Sequence, residues 1–194
     1  MKPEIAGYDF GSERVGRSPV TLAELEQLQH TVGWTSEDAT WLSRAAPILT
    51  RHAEDLVNDW RAQIGRLAFL SQWFGAPGEA TDRYRAAVKK RFVQWVIDSC
   101  TRPQDQAWLD YAQEIGLRHT PLKKNATDGA RGPSVVPLRY VIAFVWPVIA
   151  GVRQYLAADG VPSADADAMQ SAWAKSVLIQ IVLWSRPFVH EDWW

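Results

Sequence analysis

Asp105-Gln106-Ala107-Trp108-Leu109-Asp110-Tyr111-Ala112-Gln113-Glu114-Ile115-Gly116-Leu117-Arg118-His119 is the stretch whose reading decides the fold. Tyr111, Ile115 and His119 fall at i, i+4 and i+8, beside Trp108 and Ala112. A helix over Gln104 to His119 therefore carries its histidine on a buried, mostly apolar face. Pro121 stops that helix, because the residue before a proline disfavours helical geometry. Gly116, one turn before the histidine, leaves room for a large flat object to approach the backbone. A cationic centre held at His119 would sit at the negative end of the helix dipole. From spacing alone, two readings of His119 stand: a satisfied core side chain, the commoner case, or a metal ligand.

Working outward, helical signals dominate. The first twenty residues, rich in Gly, Pro, Ser and charge, read as an extended arm. Thr21 with Glu24 forms a capping box ahead of Leu22, Leu25 and Leu28. Thr35-Ser36-Glu37-Asp38 opens a second helix, and Pro47 is expected to end or restart it. Ala53, Leu56, Val57, Trp60, Ile64 and Leu67 form one stripe between Thr50 and Leu70. Gly75, Pro77 and Gly78 mark a loop. Helices follow over Asp82 to Cys100, Leu138 to Ala158 and Ser163 to Trp184, with a polar loop from Thr120 to Pro137. The expected architecture is all-α, of roughly six to eight helices.

Composition narrows the function. The chain has 21 Lys+Arg against 22 Asp+Glu, a net charge of −1, so charge gives no reason to expect a nucleic-acid partner. One cysteine, Cys100, excludes an intrachain disulfide and any multi-cysteine metal site. The N-terminus lacks the apolar core of a signal peptide. The longest apolar stretch, Tyr140 to Val152, contains Pro147 and falls short of the ~20 residues of a membrane span. A cytoplasmic protein with no membrane segment is the expectation. Eleven tryptophans are far more than usual and call for a use, in pocket walls or helix packing.

A lone histidine cannot hold zinc, because no second His, Cys or Asp sits at ligand spacing. One axial histidine does suffice for haem, whose porphyrin supplies the other four nitrogens.

The quoted stretch is similar to the proximal helix of protoglobins, single-domain haem globins related to the sensor domains of globin-coupled sensors. Matching blocks run in order along nearly the whole chain: Gly7-Tyr8-Asp9-Phe10-Gly11, Ala87-Val88-Lys89-Lys90-Arg91-Phe92, Lys123-Lys124-Asn125, Leu138-Arg139-Tyr140 and Leu183-Trp184-Ser185. The resemblance implies a globin-like helical sandwich over 21–194, with the arm of residues 1–20 and an extra helix before the first globin helix. It implies a deeply enclosed haem b with His119 on the iron, ligand access by narrow tunnels, and a homodimer through the last two long helices. Trp60, Phe92 and Phe144 match haem-pocket positions, and Val148, Tyr111 and Ile115 join them on the walls. Val88 stands where many globins carry a distal histidine. Phe74 matches the phenylalanine that packs on the porphyrin. Arg91 and Lys89, with Tyr8 or Arg139, are the cations and donors expected for the propionates.

One position departs from the family. Protoglobins carry a tyrosine directly after the pocket tryptophan, and here Arg61 follows Trp60. An arginine brings a fixed charge and five donors. Inward, Arg61 would meet a propionate or a small anionic ligand; outward, it meets solvent. The functions implied are reversible binding of O2, CO or NO at a five-coordinate iron, or a haem enzyme acting on NO, nitrite or peroxide with Arg61 stabilising charge. Gas sensing through a separate partner and a haem-free helical scaffold are the further readings.

Overall fold

A computed structural model describes residues 5–74 and 79–194, with the side chains at 74 and 79–81 outside the description. The chain is all-helical among those residues. A short α1 (Leu22–Thr31) leads into α2 (Ser36–Arg51), α3 (Ala53–Gly65) and a single turn, α4 (Ala68–Ser71), followed by a 3-10 turn at Gln72–Phe74. Then come α5 (Glu79–Thr101), α6 (Gln106–Leu117), α7 (Leu138–Ala143), α8 (Val145–Ala158) and α9 (Ser163–Ser185), with two closing 3-10 turns at Arg186–Phe188 and Glu191–Trp193. The expected loop at Gly75, Pro77 and Gly78 lies outside the described residues.

Both capping boxes form: Thr21 with Glu24 at α1, and Thr35 with Asp38 at α2. Each satisfies orphan backbone donors at a helix start. Pro47 does not end α2. It lies inside the helix on the exposed face, with Ser43 exposed a turn earlier, so the carbonyl that loses its partner can turn to water. The break comes at His52, which caps both α2 and α3. His52 is half-buried, 2.8 Å from Asp159 and against the Tyr155 ring.

The core is built around α9, which packs on α8, α2 and α6. Its buried face carries Met169, Trp173, Val177, Ile179 and Leu183. Trp173 is fully buried and donates its indole N–H to the Val148 carbonyl at 3.0 Å, tying α9 to α8. Trp95 on α5 meets Trp173 edge-on at 5.6 Å and hydrogen-bonds Gln180 of α9 at 2.6 Å. Trp173 thus serves the interior.

The apolar run at 138–158 is broken only by the turn at Phe144. Counted across that turn, Leu138–Ala158 is one 21-residue helical stretch long and apolar enough to cross a membrane by length and composition, and only a minor part of it is buried. This corrects the expectation of no such segment, which stopped counting at Val152. Val148, Val152 and Leu156 of the same stretch belong to the core. Ile142 and Trp146 stand exposed beside them.

Residues 5–20 are not an extended free arm. They run through tight turns, with Gly7 at φ +70°, and dock on α5 and α6. Tyr8 and Phe10 pack edge-on against Tyr111 at 5.4 and 5.3 Å. Arg118 donates to the Gly7 carbonyl and pairs with Asp9, while Arg91 donates to the Ala6 carbonyl at 2.9 Å. Ser18 N–H donates to Asp110 at 2.8 Å.

Lys175, midway along α9, donates to both Asp38 oxygens at 2.8 and 2.9 Å and to the Gly33 carbonyl at 2.8 Å. Burial pushes the Asp38 carboxyl up, but the donors from Lys175 and Thr35 outweigh it and hold its pKa below 3.8. A depressed carboxylate stabilises the fold above its unfolded value and ceases to do so as pH falls through the folded one. Lys175→Met is therefore expected to lower stability at pH 7 by about 1–3 kcal/mol. In thermal unfolding, the gap between variant and wild type should close as pH drops below 3.8.

Candidate functional site

The site begins with the end of α6. The helix stops at Leu117, so His119 lies in the turn just past it and not on the helix itself. The turn is pinned: His119 N–H donates to Gly116 at 3.0 Å, and the His119 carbonyl accepts from Val136 at 2.9 Å. Its ring Nδ1 sits 2.8 Å from the Ile115 carbonyl. A carbonyl only accepts, so Nδ1 carries the proton and Nε2 keeps a free lone pair. Burial lowers the His119 pKa, the Ile115 carbonyl opposes this, and the charge of Lys124 adds to the lowering. The net effect keeps the ring neutral, the form that ligates.

Trp184 of α9 stacks on His119, with ring centroids 5.9 Å apart and planes at 19°. Gly116 makes this possible. A Cβ there would stand 3.0 Å from the Trp184 carbonyl and 3.1 Å from its Cα. The empty space beside Gly116 is therefore taken by the backbone of α9, and not by a flat ligand as the spacing suggested.

A cavity of about 240 Å³ opens beside His119. Val88 and Phe92 of α5, Arg61 and Ile64 of α3, Phe144, Val145 and Val148 around the α7–α8 turn, and Tyr111 and Ile115 of α6 line it. So do residues that sequence reading did not single out as walls: Trp73, Tyr84, Trp95, Arg118, Lys124, Tyr140, Ile181 and Trp184. Trp184 and Lys124 stood in quoted motifs, and only their packing shows their place.

Trp60 is not among the described residues that line the cavity. It is 2% exposed and stands behind Phe92, with ring centroids 5.2 Å apart. Its indole Nε1 points at Gly151, where a Cβ would lie 2.6 Å away, and it has no acceptor among the described residues. Phe74 closes the 3-10 turn, and its side chain lies outside the described residues.

The charged residues divide. Arg91 lines the cavity but is committed to Asp128 through two bonds of 2.8 and 2.6 Å. Lys89 ties α5 to Glu54 of α3 at 2.7 Å. Tyr8 gives its hydroxyl to Asp98 at 2.5 Å, and burial together with that carboxylate raises its pKa well above 10. Arg91 and Tyr8 are thus committed to the protein's own carboxylates, and Lys89, paired with Glu54, is not on the described lining. Lys124 donates to the neutral Pro133 carbonyl at 2.6 Å, over the Tyr84 ring. Arg139 lies exposed over the Tyr140 ring at 4.7 Å. Arg61 is half-buried on the wall, with no hydrogen-bond or ion-pair partner among the described residues.

No group of three or more His, Cys, Asp or Glu that could hold a metal ion occurs among the described residues. Any metal here must bring its own ligands apart from one imidazole.

A family model described as Protoglobin matches residues 21–194. The chain belongs to the protoglobin family. Among solved structures, its fold is similar to the globin domain of the Geobacter sulfurreducens globin-coupled sensor, with a TM-score of 0.62 and 13% sequence identity. That match covers 85% of this chain and 97% of the other, and at such identity the likeness is one of fold. A comparison with curated proteins finds no match.

The globin family implies a haem, and the residues present fit one. The requirements are one neutral imidazole with a free nitrogen, a broad aromatic and aliphatic cavity, and cations near its mouth. Trp73 and Trp184, both on the lining, also hold buried indole N–H groups with no acceptor among the described residues. In this protoglobin the turn that carries His119 rests on the contact at Gly116. Gly116→Ala should force α6 off α9, because backbone atoms cannot yield as a side chain would. A loss of about 1–3 kcal/mol in denaturant unfolding is expected.

Proposed function

We propose that this chain is a haem b globin that reversibly binds O2, CO or NO, with His119 as the proximal ligand. The observation that carries the reading is His119 itself. Its Nδ1 is spent on Ile115, its Nε2 is free, and its ring borders an apolar cavity with no second ligating side chain described. When bound, haem supplies an iron with a vacant position for a small gas molecule.

The chain's own residues do the rest. The Ile115 carbonyl and the Trp184 ring fix the orientation of the imidazole. Phe92, Phe144 and Val148 hold water out and set the width of the pocket. Val88 offers no hydrogen-bond donor at the position where many globins place a histidine. Lys124, and Arg139 beside Tyr140 at the rim, would receive the two carboxylates, which replaces the assignment to Arg91 and Lys89.

We also propose a cytoplasmic homodimer through α8 and α9. Ile142 and Trp146, 71% exposed, and Leu178 on α9 present apolar surface that association would bury. Sedimentation at micromolar concentration should give a dimer, and Trp146→Glu should shift it to monomer. A wild-type monomer would remove this part of the proposal.

The haem reading is tested by absorption spectra of the ferric, ferrous and ferrous–CO protein, for wild type and His119→Ala. An intense haem band that shifts with CO, and is altered or lost in the variant, is the expected result. Haem-reconstituted protein with no such band would leave a helical scaffold.

A further inference from the structure

The cavity contains one cation that its surroundings do not explain. Four basic side chains line it: Arg61, Arg91, Arg118 and Lys124. The only lining carboxylate described, Asp128, is held by Arg91 through two bonds. Arg118 is engaged by Glu114, Asp9 and the Gly7 carbonyl. Lys124 lies with the loop that follows His119 and reaches the Pro133 carbonyl. Arg61 belongs to a different wall, on α3, next to Trp60 and in the company of Val88 and Phe92 of α5.

That placement is costly. A half-buried guanidinium among apolar side chains loses hydration and recovers nothing from a partner. Burial and the nearby charge of Arg85 both press its pKa down, yet a guanidinium stays protonated in proteins. Among the described residues that line the cavity, no carboxylate other than Asp128 is present to neutralise it. Nothing on the described lining near Arg61 supplies the opposing charge, and an anionic ligand in the cavity would.

We propose that Arg61 makes this pocket a receptor for small anions of the nitrite and azide type, bound at the iron and hydrogen-bonded by the guanidinium. This rests on the haem reading above. Charge-assisted bonds are the strong ones, and an arginine offers two parallel donors to a pair of oxygens. A neutral diatomic molecule such as CO carries no charge for Arg61 to meet. Arg61 therefore sets selectivity between ligand classes and does not set affinity for all of them.

The test titrates the ferric haem protein with azide and with nitrite, and the ferrous protein with CO, for wild type, Arg61→Leu and Arg61→Lys. Arg61→Leu should weaken azide and nitrite by roughly 10- to 100-fold and change CO by less than about threefold. Arg61→Lys keeps the charge and should recover part of the anion affinity. CO binding by the variants reports that the pocket is intact. The haem dissociation rate, measured by transfer to a haem-free acceptor globin, separates the other use of the charge. Unchanged anion affinities, or faster haem loss with the anion-to-CO ratio preserved, would overturn the proposal and assign Arg61 to the haem carboxylates. Failure to bind haem at all would overturn the function on which it rests.

Discussion

The contact on which the site depends is the meeting of α6 and α9 at Gly116. Its missing side chain lets the Trp184 backbone come to within 3.0 Å of the place a Cβ would occupy. From that contact the rest follows in order. Trp184 is brought alongside His119, and the stack holds the ring from one side. The Ile115 carbonyl holds it from the other and decides which nitrogen keeps its proton. The same tryptophan meets Trp95 at 5.5 Å, and Trp95 meets Phe92 at 5.4 Å. A glycine on one helix thereby sets the aromatic wall on the far helix α5. Packing transmits such positions faithfully because protein interiors are as dense as organic crystals.

Electrostatically, the pocket is a mostly apolar space edged with positive charge. Arg91 and Arg118 are neutralised by the protein's own carboxylates, and those pairs also fasten the first residues of the chain to α5 and α6. Lys124 and Arg61 are not neutralised by any described carboxylate. Surplus positive charge around a low-polarity cavity favours negatively charged guests, and there it acts more strongly than it would in water.

Much of the fold could be read from the sequence, because the signals were local. Capping boxes at Thr21 and Thr35 place two helix starts to the residue. Pro47 misled, since a proline on a solvent-facing turn of a helix packed on its other face can sit within the helix without ending it. The site was legible where residues repeat at helical spacing, as with Tyr111 and Ile115, or stand in long motifs, as with His119. Trp60 was misjudged because helical periodicity reports that a side chain is buried, not what it is buried against. Arg91 and Lys89 looked free because their partners, Asp128 and Glu54, are 37 and 35 residues away in sequence. Tyr84 and Ile181 carry no sequence signal for a wall, and the matching block that holds Tyr140 does not say where its side chain goes, since only the three-dimensional crossing of α5, α7 and α9 brings them together.

The strap of residues around Gly7 has a consequence for the order of assembly. Its anchors are Arg91, Asp98, Asp110, Tyr111 and Arg118, between 85 and 111 positions away along the chain in the contacts that hold it. These contacts close large loops, and such loops form late in folding. The strap has nothing to dock on until α5 and α6 are in place. Its docking therefore follows the assembly of α5 and α6, and it closes over the side of α6 after the core has formed.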